Sequence, residues 1–226
     1  MKQELIDQFG ADTVRLYILF KAPPSKVLEW DHTGIIGQHR WLVRLWTLVS
    51  KYIQGYQEKS DAKLSSKQNT KLHKELNSIT RSVTSSLTTT RSFNVAIASL
   101  MKLSNLLAKE MEENKNCVEC PTFFTGLREL LVMLAPMAPF ISEELWHQLA
   151  RFGPNCDSEF ASVHEQAWPQ VEQVKQKGKQ IIVQLQGKTK GRFPVPDDIE
   201  FTEESITSFV QQHATFTHVF SKREIK

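Results

Sequence analysis

The sequence predicts a mainly α chain: an antiparallel helix bundle followed by a small, truncated α+β domain. Three observations carry this reading. Glycine is scarce, nine in 226 residues. Apolar residues recur every three to four positions through the first two thirds of the chain, the period of an amphipathic helix. Near residue 180 the pattern changes to alternation, the period of a strand. At roughly 150 residues per domain, this length suits one large domain or two unequal ones.

The opening reads as a helix to about Phe9, a break at Gly10, and a second helix over ADTVRLYILF. That helix stops before KAPPSKVLEW, where Pro23 and Pro24 forbid continuation. The next helix runs from about Gly34 to Ile53. Its apolar stripe is Ile35, Leu42, Leu45, Trp46, Val49, Tyr52 and Ile53, while Arg40, Arg44, Thr47 and Lys51 fall within roughly 60° of one another on the opposite face. A third helix, about Lys67 to Thr88, repeats the arrangement. Leu72, Leu76, Ile79, Val83 and Leu87 face one way and Lys67, Lys71, Lys74, Ser78 and Arg81 the other; its many Ser and Thr residues make it depend on packing.

A fourth helix, about Phe93 to Glu112, turns Phe93, Ala96, Ile97, Leu100, Leu103, Leu106 and Leu107 inward. After the polar loop NKNCVECP come helices over about Phe123 to Leu134 and Pro139 to Leu149. Long helices with short links make an antiparallel bundle. Residues 150–172 show no clear period, and KQKGK (Lys175–Lys179) reads as an exposed linker. Ile182–Gln186 alternates as a strand, Gly187-Lys188 is a turn, and TKGRFPVP continues as a second strand. A short helix at Glu203–Gln212 and a strand at Thr217–Phe220 complete a unit that ends on SKREIK without a closing element.

Several classes of function are excluded. Forty per cent hydrophobic and 23% charged residues is globular composition, not that of a disordered chain. The longest apolar run, Leu130–Ile141, is too short for a bilayer and contains two prolines. No secretory leader opens the chain, and three cysteines are too few for a disulfide framework, so a reducing, intracellular setting is expected. No Gly-rich phosphate loop, GxSxG elbow or HExxH occurs, and the seven histidines lack a catalytic partner at suitable spacing. No catalytic residue is therefore expected. Cys117 and Cys120 form half of a zinc-type CxxC, but His147 and Cys156 are isolated; a loop with two thiols, and no metal, is the expectation.

The net charge of +3 hides a segmental pattern. Residues 1–60 carry eight bases and six acids, residues 61–116 nine and five, residues 117–170 two and seven, and residues 171–226 nine and seven. The basic excess of the first two segments lies in the two helical stripes. A single stripe of Lys and Arg is usually just solvated charge. The same feature on two neighbouring helices suits a polyanion, and Arg40 and Arg44, one turn apart, can each fork onto a phosphate. Strand alternation would place Lys188, Lys190 and Arg192 on one face, a smaller cluster of the same kind. The candidate contacts are therefore Arg40, Arg44 and Lys51, then Lys67, Lys71 and Lys74, then Lys188, Lys190 and Arg192. Trp41, Trp46, Phe93 and Trp146 sit at helical spacing and are expected in the core, with the direction of Trp41 open.

Five stretches carry a family likeness. FGADTVRLYILFKAPPSKVLEWDHTGIIGQHRWLVRLW (Phe9–Trp46) resembles the segment after the KMSKS signature in bacterial-type leucyl-tRNA synthetases. RSFNVAIASLMKLSNLLAK (Arg91–Lys109) resembles that family's (F)NTAIAxxMxLxNxL helix, with Val95 in place of Thr. MLAPMAPFISEELWHQL (Met133–Leu149) resembles its (L)xPxAPHxxEELW helix, with Phe140 where His is common. QAWP (Gln166–Pro169) and VQLQGKTKGRFPVP (Val183–Pro196) are similar to its WP and VQxNGKxRxxxxVP stretches, with Gln186 for Asn and Lys190 for Arg. KLSSK (Lys63–Lys67) resembles KMSKS only superficially; it lacks the Met, orders its Ser and Lys differently, and reads as a solvated loop.

The resemblance, from residue 3 to about 220, implies a part of a class Ia enzyme. Residues 1–32 would end its stem-contact region, 33–172 would be its anticodon-binding-type bundle, and 173–226 would begin its C-terminal domain. The HIGH and KMSKS signatures and the editing domain would lie upstream, so ATP, Mg and leucine activation would belong to the parent, and no cofactor is expected in these residues. The implied partner is tRNA-Leu, held mainly by its backbone, with the upstream catalytic and editing domains beside it and no membrane. Departures such as LQGKTK and PF for PH are similar to animal mitochondrial members, implying a mitochondrial matrix home, or otherwise the cytoplasm. Two alternatives stay open: the same region of a valine or isoleucine enzyme, and a helical protein-interaction module whose stripes meet acidic partners.

Overall fold

Gly10 makes the first bend: its φ of +81° is a left-handed conformation that glycine adopts without strain, and its N–H closes the preceding helix on Ile6 O at 2.8 Å. The computed structural model describes residues 2–21, 32–59, 69–114, 116–152, 161–171, 180–185 and 188–194. It divides into two units, residues 1–171 and 172–226. The first unit takes in both the opening segment and the bundle. Its helices are α1 (Lys2–Phe9), α2 (Ala11–Lys21), α3 (His32–Glu58), α4 (Thr70–Thr88), α5 (Phe93–Glu113), α6 (Pro121–Leu134) and α7 (Pro139–Phe152). Short 3-10 turns cover Cys117–Glu119 and Val163–Glu165. Among the described residues no helix is long and apolar enough to cross a membrane.

The bundle is built around α5, which packs on α2, α3, α4 and α6. Its Ala96, Ile97, Leu100, Leu103 and Leu107 are completely buried, while Phe93 and Leu106 lie at the edge, half-buried. The α5–α6 approach is close because Gly126 has no side chain: a Cβ there would sit 3.1 Å from Leu107 Cδ2. α3 continues past Ile53 through a polar turn, where Gln54 Nε2 donates to Glu58 Oε1 at 2.8 Å and Tyr56 stacks on Tyr52. α6 starts at Pro121, a residue suited to the first turn of a helix because its missing N–H needs no partner there.

Two aromatic anchors tie α3 inward. Tyr52 stacks on Phe123 and Phe124, with ring centroids 5.6 and 6.0 Å away, and its hydroxyl donates to Val118 O at 3.3 Å. Burial raises its pKa far above the ordinary phenol value, so it stays protonated. Trp41 is also buried, and its Nε1–H donates to Ser104 Oγ at 2.9 Å on α5. The direction of Trp41 is thus inward. Trp46 departs from the expectation: it is 40% exposed, whereas Trp146 is buried.

The segment after α7 docks by polar contacts. Trp146 Nε1–H donates to Ala161 O, Glu143 Oε2 accepts from Ser162 Oγ and Val163 N, and Trp168 Nε1–H donates to Thr84 Oγ1 on α4. Its Val163 joins the core.

In the second unit, β1 (Gln180–Leu185) pairs antiparallel with β2 (Lys188–Pro194). Ile182 opposes Arg192 and Val183 opposes Gly191, but Gln184 opposes Thr189, so Lys190 is an extra residue in a β-bulge. The strict alternation expected for Lys188, Lys190 and Arg192 is interrupted there. Lys67, KLSSK, the KQKGK linker, the helix expected at 203–212 and the strand expected at 217–220 lie outside the described residues.

Candidate nucleic-acid interface

α3 is amphipathic at one residue per 100°, and its buried arc leaves one face to solvent. Arg40, Arg44 and Lys51 all stand exposed on that face, with Thr47 between them. Among the described residues none of the three has an ion pair or hydrogen bond, and the only acid on α3 is Glu58 at its far end. Three uncompensated cations one or two turns apart form a strip that repels itself in the free protein and attracts a polyanion.

The α4 stripe is built differently. Lys71 is exposed in its first turn, which holds no acid; Lys74 is exposed just beyond it and Arg81 continues the face. Cations near a helix N-terminus oppose the helix dipole, so this placement does not stabilise the helix. The start of α4 relies on Asn69 instead, whose Oδ1 accepts from Leu72 N at 3.1 Å while its Nδ2 donates to Glu110 Oε1 at 2.9 Å. The two stripes are not on packed neighbours, as the sequence suggested: α5 lies against both α3 and α4, which do not pack along each other. Lys188, Lys190 and Arg192 all fall on β2 in the second unit.

A feature missed by sequence reasoning lies beside the α3 stripe. α2, α3 and α7 enclose an open groove of about 540 Å3 whose walls include Trp46, Val43, His39 and Phe140. Phe140 is 69% exposed, and Phe9 meets the His39 ring edge-on at 5.9 Å. Thr47 belongs to both groove and stripe.

The groove is held in shape by two residues of GADTVR. Asp12 is buried, and its Oδ2 accepts from Ile141 N at 2.7 Å in the first turn of α7. One helical turn later, Arg15 donates from Nε to Met137 O at 3.1 Å and from Nη2 to Pro136 O at 3.0 Å, just beyond α6. The negative group meets a helix start and the positive group a helix end, matching both dipoles. Arg15→Ala is expected to cost about 1 kcal/mol, because water replaces much of what the exposed guanidinium supplies; urea unfolding measures it.

Burial raises the pKa of the Asp12 carboxyl above the ordinary carboxylate value, outweighing the α7 amides of Ile141 and Phe140 and the charge of Arg15, which lower it. A raised folded pKa means the folded state binds the proton more tightly. That contribution is complete below the unfolded value of about 3.9 and is lost as pH rises through the folded one. Asp12→Asn is therefore expected to melt higher than wild type at pH 7, with the two melting curves converging toward pH 4. A gap that widens on acidification would contradict the assignment.

Cys117 and Cys120 flank the 3-10 turn as free thiols. Burial first, then Glu110 and Cys120, pushes the Cys117 thiol up to about 11, so it is a poor nucleophile at neutral pH. Among the described residues no group of three or more His, Cys, Asp or Glu side chains is placed to hold a metal ion.

The helical fold belongs to a class of domain found in tRNA ligases. Residues 69–206 match the family model described as the anticodon-binding domain of tRNA ligase, and the chain belongs to that family. Lys71, Lys74 and the β2 cluster fall inside the matched range, whereas Arg40, Arg44, Lys51 and Lys67 precede it. Leucine–tRNA ligase of Crocosphaera subtropica is 37% identical over 196 residues, covering 86% of this chain and 22% of the relative. That of Synechocystis is 36% identical over 212 residues, covering 89% and 23%. The chain thus spans less than a quarter of the length of these curated relatives. Among solved structures, the ternary complex of Agrobacterium radiobacter K84 agnB2 LeuRS with tRNA and LeuAMS is similar over the whole of this chain and 28% of its own, at a TM-score of 0.62 and 26% identity.

Proposed function

We propose that this chain is the tRNA-holding part of a leucine–tRNA ligase and grips tRNA-Leu through the phosphate backbone. The observation that carries the reading is the exposed Arg40–Arg44–Lys51 face of α3, whose side chains have no ion pair among the described residues. It sits in a chain that is similar along its whole length to an enzyme solved with tRNA. Lys67, Lys71 and Lys74, and then Lys188, Lys190 and Arg192, extend the grip. Activation of leucine with ATP and Mg, and editing, belong to the rest of the parent; the described residues contribute binding and orientation, not bond making. A mitochondrial matrix home rests only on the departures from bacterial wording, and the relatives named above are cyanobacterial.

The test is affinity for leucine tRNA and for a non-cognate tRNA across a salt series. Backbone binding predicts that log K falls linearly with log salt, with a slope near −0.9 per neutralised phosphate in duplex regions. A stoichiometric complex with an acidic protein, and no binding to tRNA at low salt, would favour an interaction module instead.

A further inference from the structure

We infer that Cys117 and Cys120 form a reversible redox site, at which a small-molecule disulfide turns the two thiols into one intramolecular disulfide. The backbone brings them within reach. Cys117 opens the 3-10 turn and Cys120 ends it, with Cys120 N donating to Cys117 O at 3.0 Å. In a 3-10 turn of about three residues and about 2.0 Å rise per residue, side chains at i and i+3 eclipse, about 6 Å apart at Cα. A disulfide closes without backbone movement over roughly 4.4–6.8 Å. The turn is also held in place. It packs on α3, α5 and α6, the Tyr52 hydroxyl donates to Val118 O, and Lys59 Nζ bonds both Asn116 Oδ1 and Glu119 Oε1. Neither thiol is in a disulfide here, and Cys117 senses the charge of Cys120, as a close neighbour does.

Exposure divides the work between them. Cys120 is half-buried and Cys117 is 1% exposed, so a dissolved disulfide meets Cys120 first. The Cys120 thiolate attacks one sulfur of glutathione disulfide, a mixed disulfide forms, and one glutathione leaves as thiolate. Cys117 then gives its proton to solvent and attacks Cys120 Sγ, which expels the second glutathione thiolate. The two cysteines lose two electrons and two protons, and one glutathione disulfide becomes two glutathiones. Burial does not block the second step, because Cys117 has only to reach its neighbour, but it sets the pace. Burial, Glu110 of α5 and Cys120 hold the Cys117 thiol up at about 11, against the pull of Lys59. The other groups facing it are Tyr52, which stays protonated, and Glu119, which is paired with Lys59. Ring closure is therefore slow at neutral pH and quickens about tenfold for each pH unit.

The experiment treats the 226-residue chain, carrying Cys156→Ser so that only these two thiols remain, with excess glutathione disulfide, and follows its intact mass. At about pH 7 a species carrying one glutathione should build up. By about pH 9 it should give way to a species that carries none and has lost two hydrogens, and dithiothreitol should restore the starting mass. Peptide mapping of the product should find the bond between residues 117 and 120. Cys117→Ala should stop at the glutathione adduct at every pH, and Cys120→Ser should react at least about tenfold more slowly, because its one thiol is buried. Circular dichroism melts check that both variants fold, and the pH course of the two-thiol chain is read without them. The oxidised chain should melt a few degrees above the reduced one, since a ring that fits the turn constrains only the unfolded state. An adduct that persists at about pH 9 would overturn the pairing, as would equal reactivity of folded Cys120→Ser. An oxidised chain that melts below the reduced one would show that the ring does not fit this turn, and would overturn it as well.

Discussion

Reversing Arg40, Arg44 and Lys51 together to Glu is expected to weaken tRNA binding by on the order of a hundredfold or more at about 0.1 M salt. Each phosphate contact contributes a slope of about −0.7 to −0.9 in log K against log salt, so three lost contacts remove two to three decades at that concentration. The same variant should flatten the salt dependence by two to three units. Stability should change little, because three exposed glutamates on one helix face repel one another much as the three cations they replace do. Equilibrium titrations at four or five salt concentrations separate this from a folding defect: a misfolded variant loses amplitude, whereas a surface variant changes slope. An unchanged slope would return the strip to the status of a solvated face.

Trp41→Ala is expected to have the largest effect on stability, about 3–5 kcal/mol in urea unfolding. The ring is among the largest fully buried side chains, and its N–H is satisfied by Ser104 Oγ, which in turn donates to Met101 O at 2.9 Å. Trp41→Phe keeps most of the packing and loses the bond, so a smaller cost of about 1 kcal/mol is expected. Neither change should alter tRNA affinity under conditions where the protein stays folded. A selective loss of affinity with stability preserved would mean that Trp41 meets the RNA directly.

The two tryptophans of α3 show how far periodicity reaches. At 100° per residue Trp41 lies about 20° beyond Tyr52 on one border of the predicted apolar arc, and Trp46 about 20° past Ile53 on the other. A sequence pattern expects Trp46 in the core and leaves the direction of Trp41 open; packing turns Trp41 inward onto Ser104, while Trp46 lines a groove with residues of α2 and α7. The stripes themselves were legible because they depend on one helix at a time. Their mutual placement was not, because α3 and α4 follow one another in sequence while α5 fits against both in space. Asp12 and Arg15 carried no local signal, since they bind main-chain atoms more than 120 residues away. The bulge at Lys190 did carry one: glycine follows at 191, and an isolated glycine in a strand often marks a bulge.

The pairing of Asp12 and Arg15 with residues 136–141 also has a consequence for timing. During synthesis, α2 is complete long before its docking partners exist. At about 5–20 residues per second, the intervening chain takes on the order of 6–25 s to appear. For that interval Leu16 has neither α5 nor α7 to cover it, whereas Tyr17 packs with Leu5 of α1 and Ile35 of α3. The amino-terminal helices are thus made first and locked last, and the turn between α6 and α7 decides when nascent chain becomes native bundle. Mutations in that turn should show up in cells as lower yield from newly made protein, even where the purified, finished bundle unfolds at nearly the same denaturant concentration.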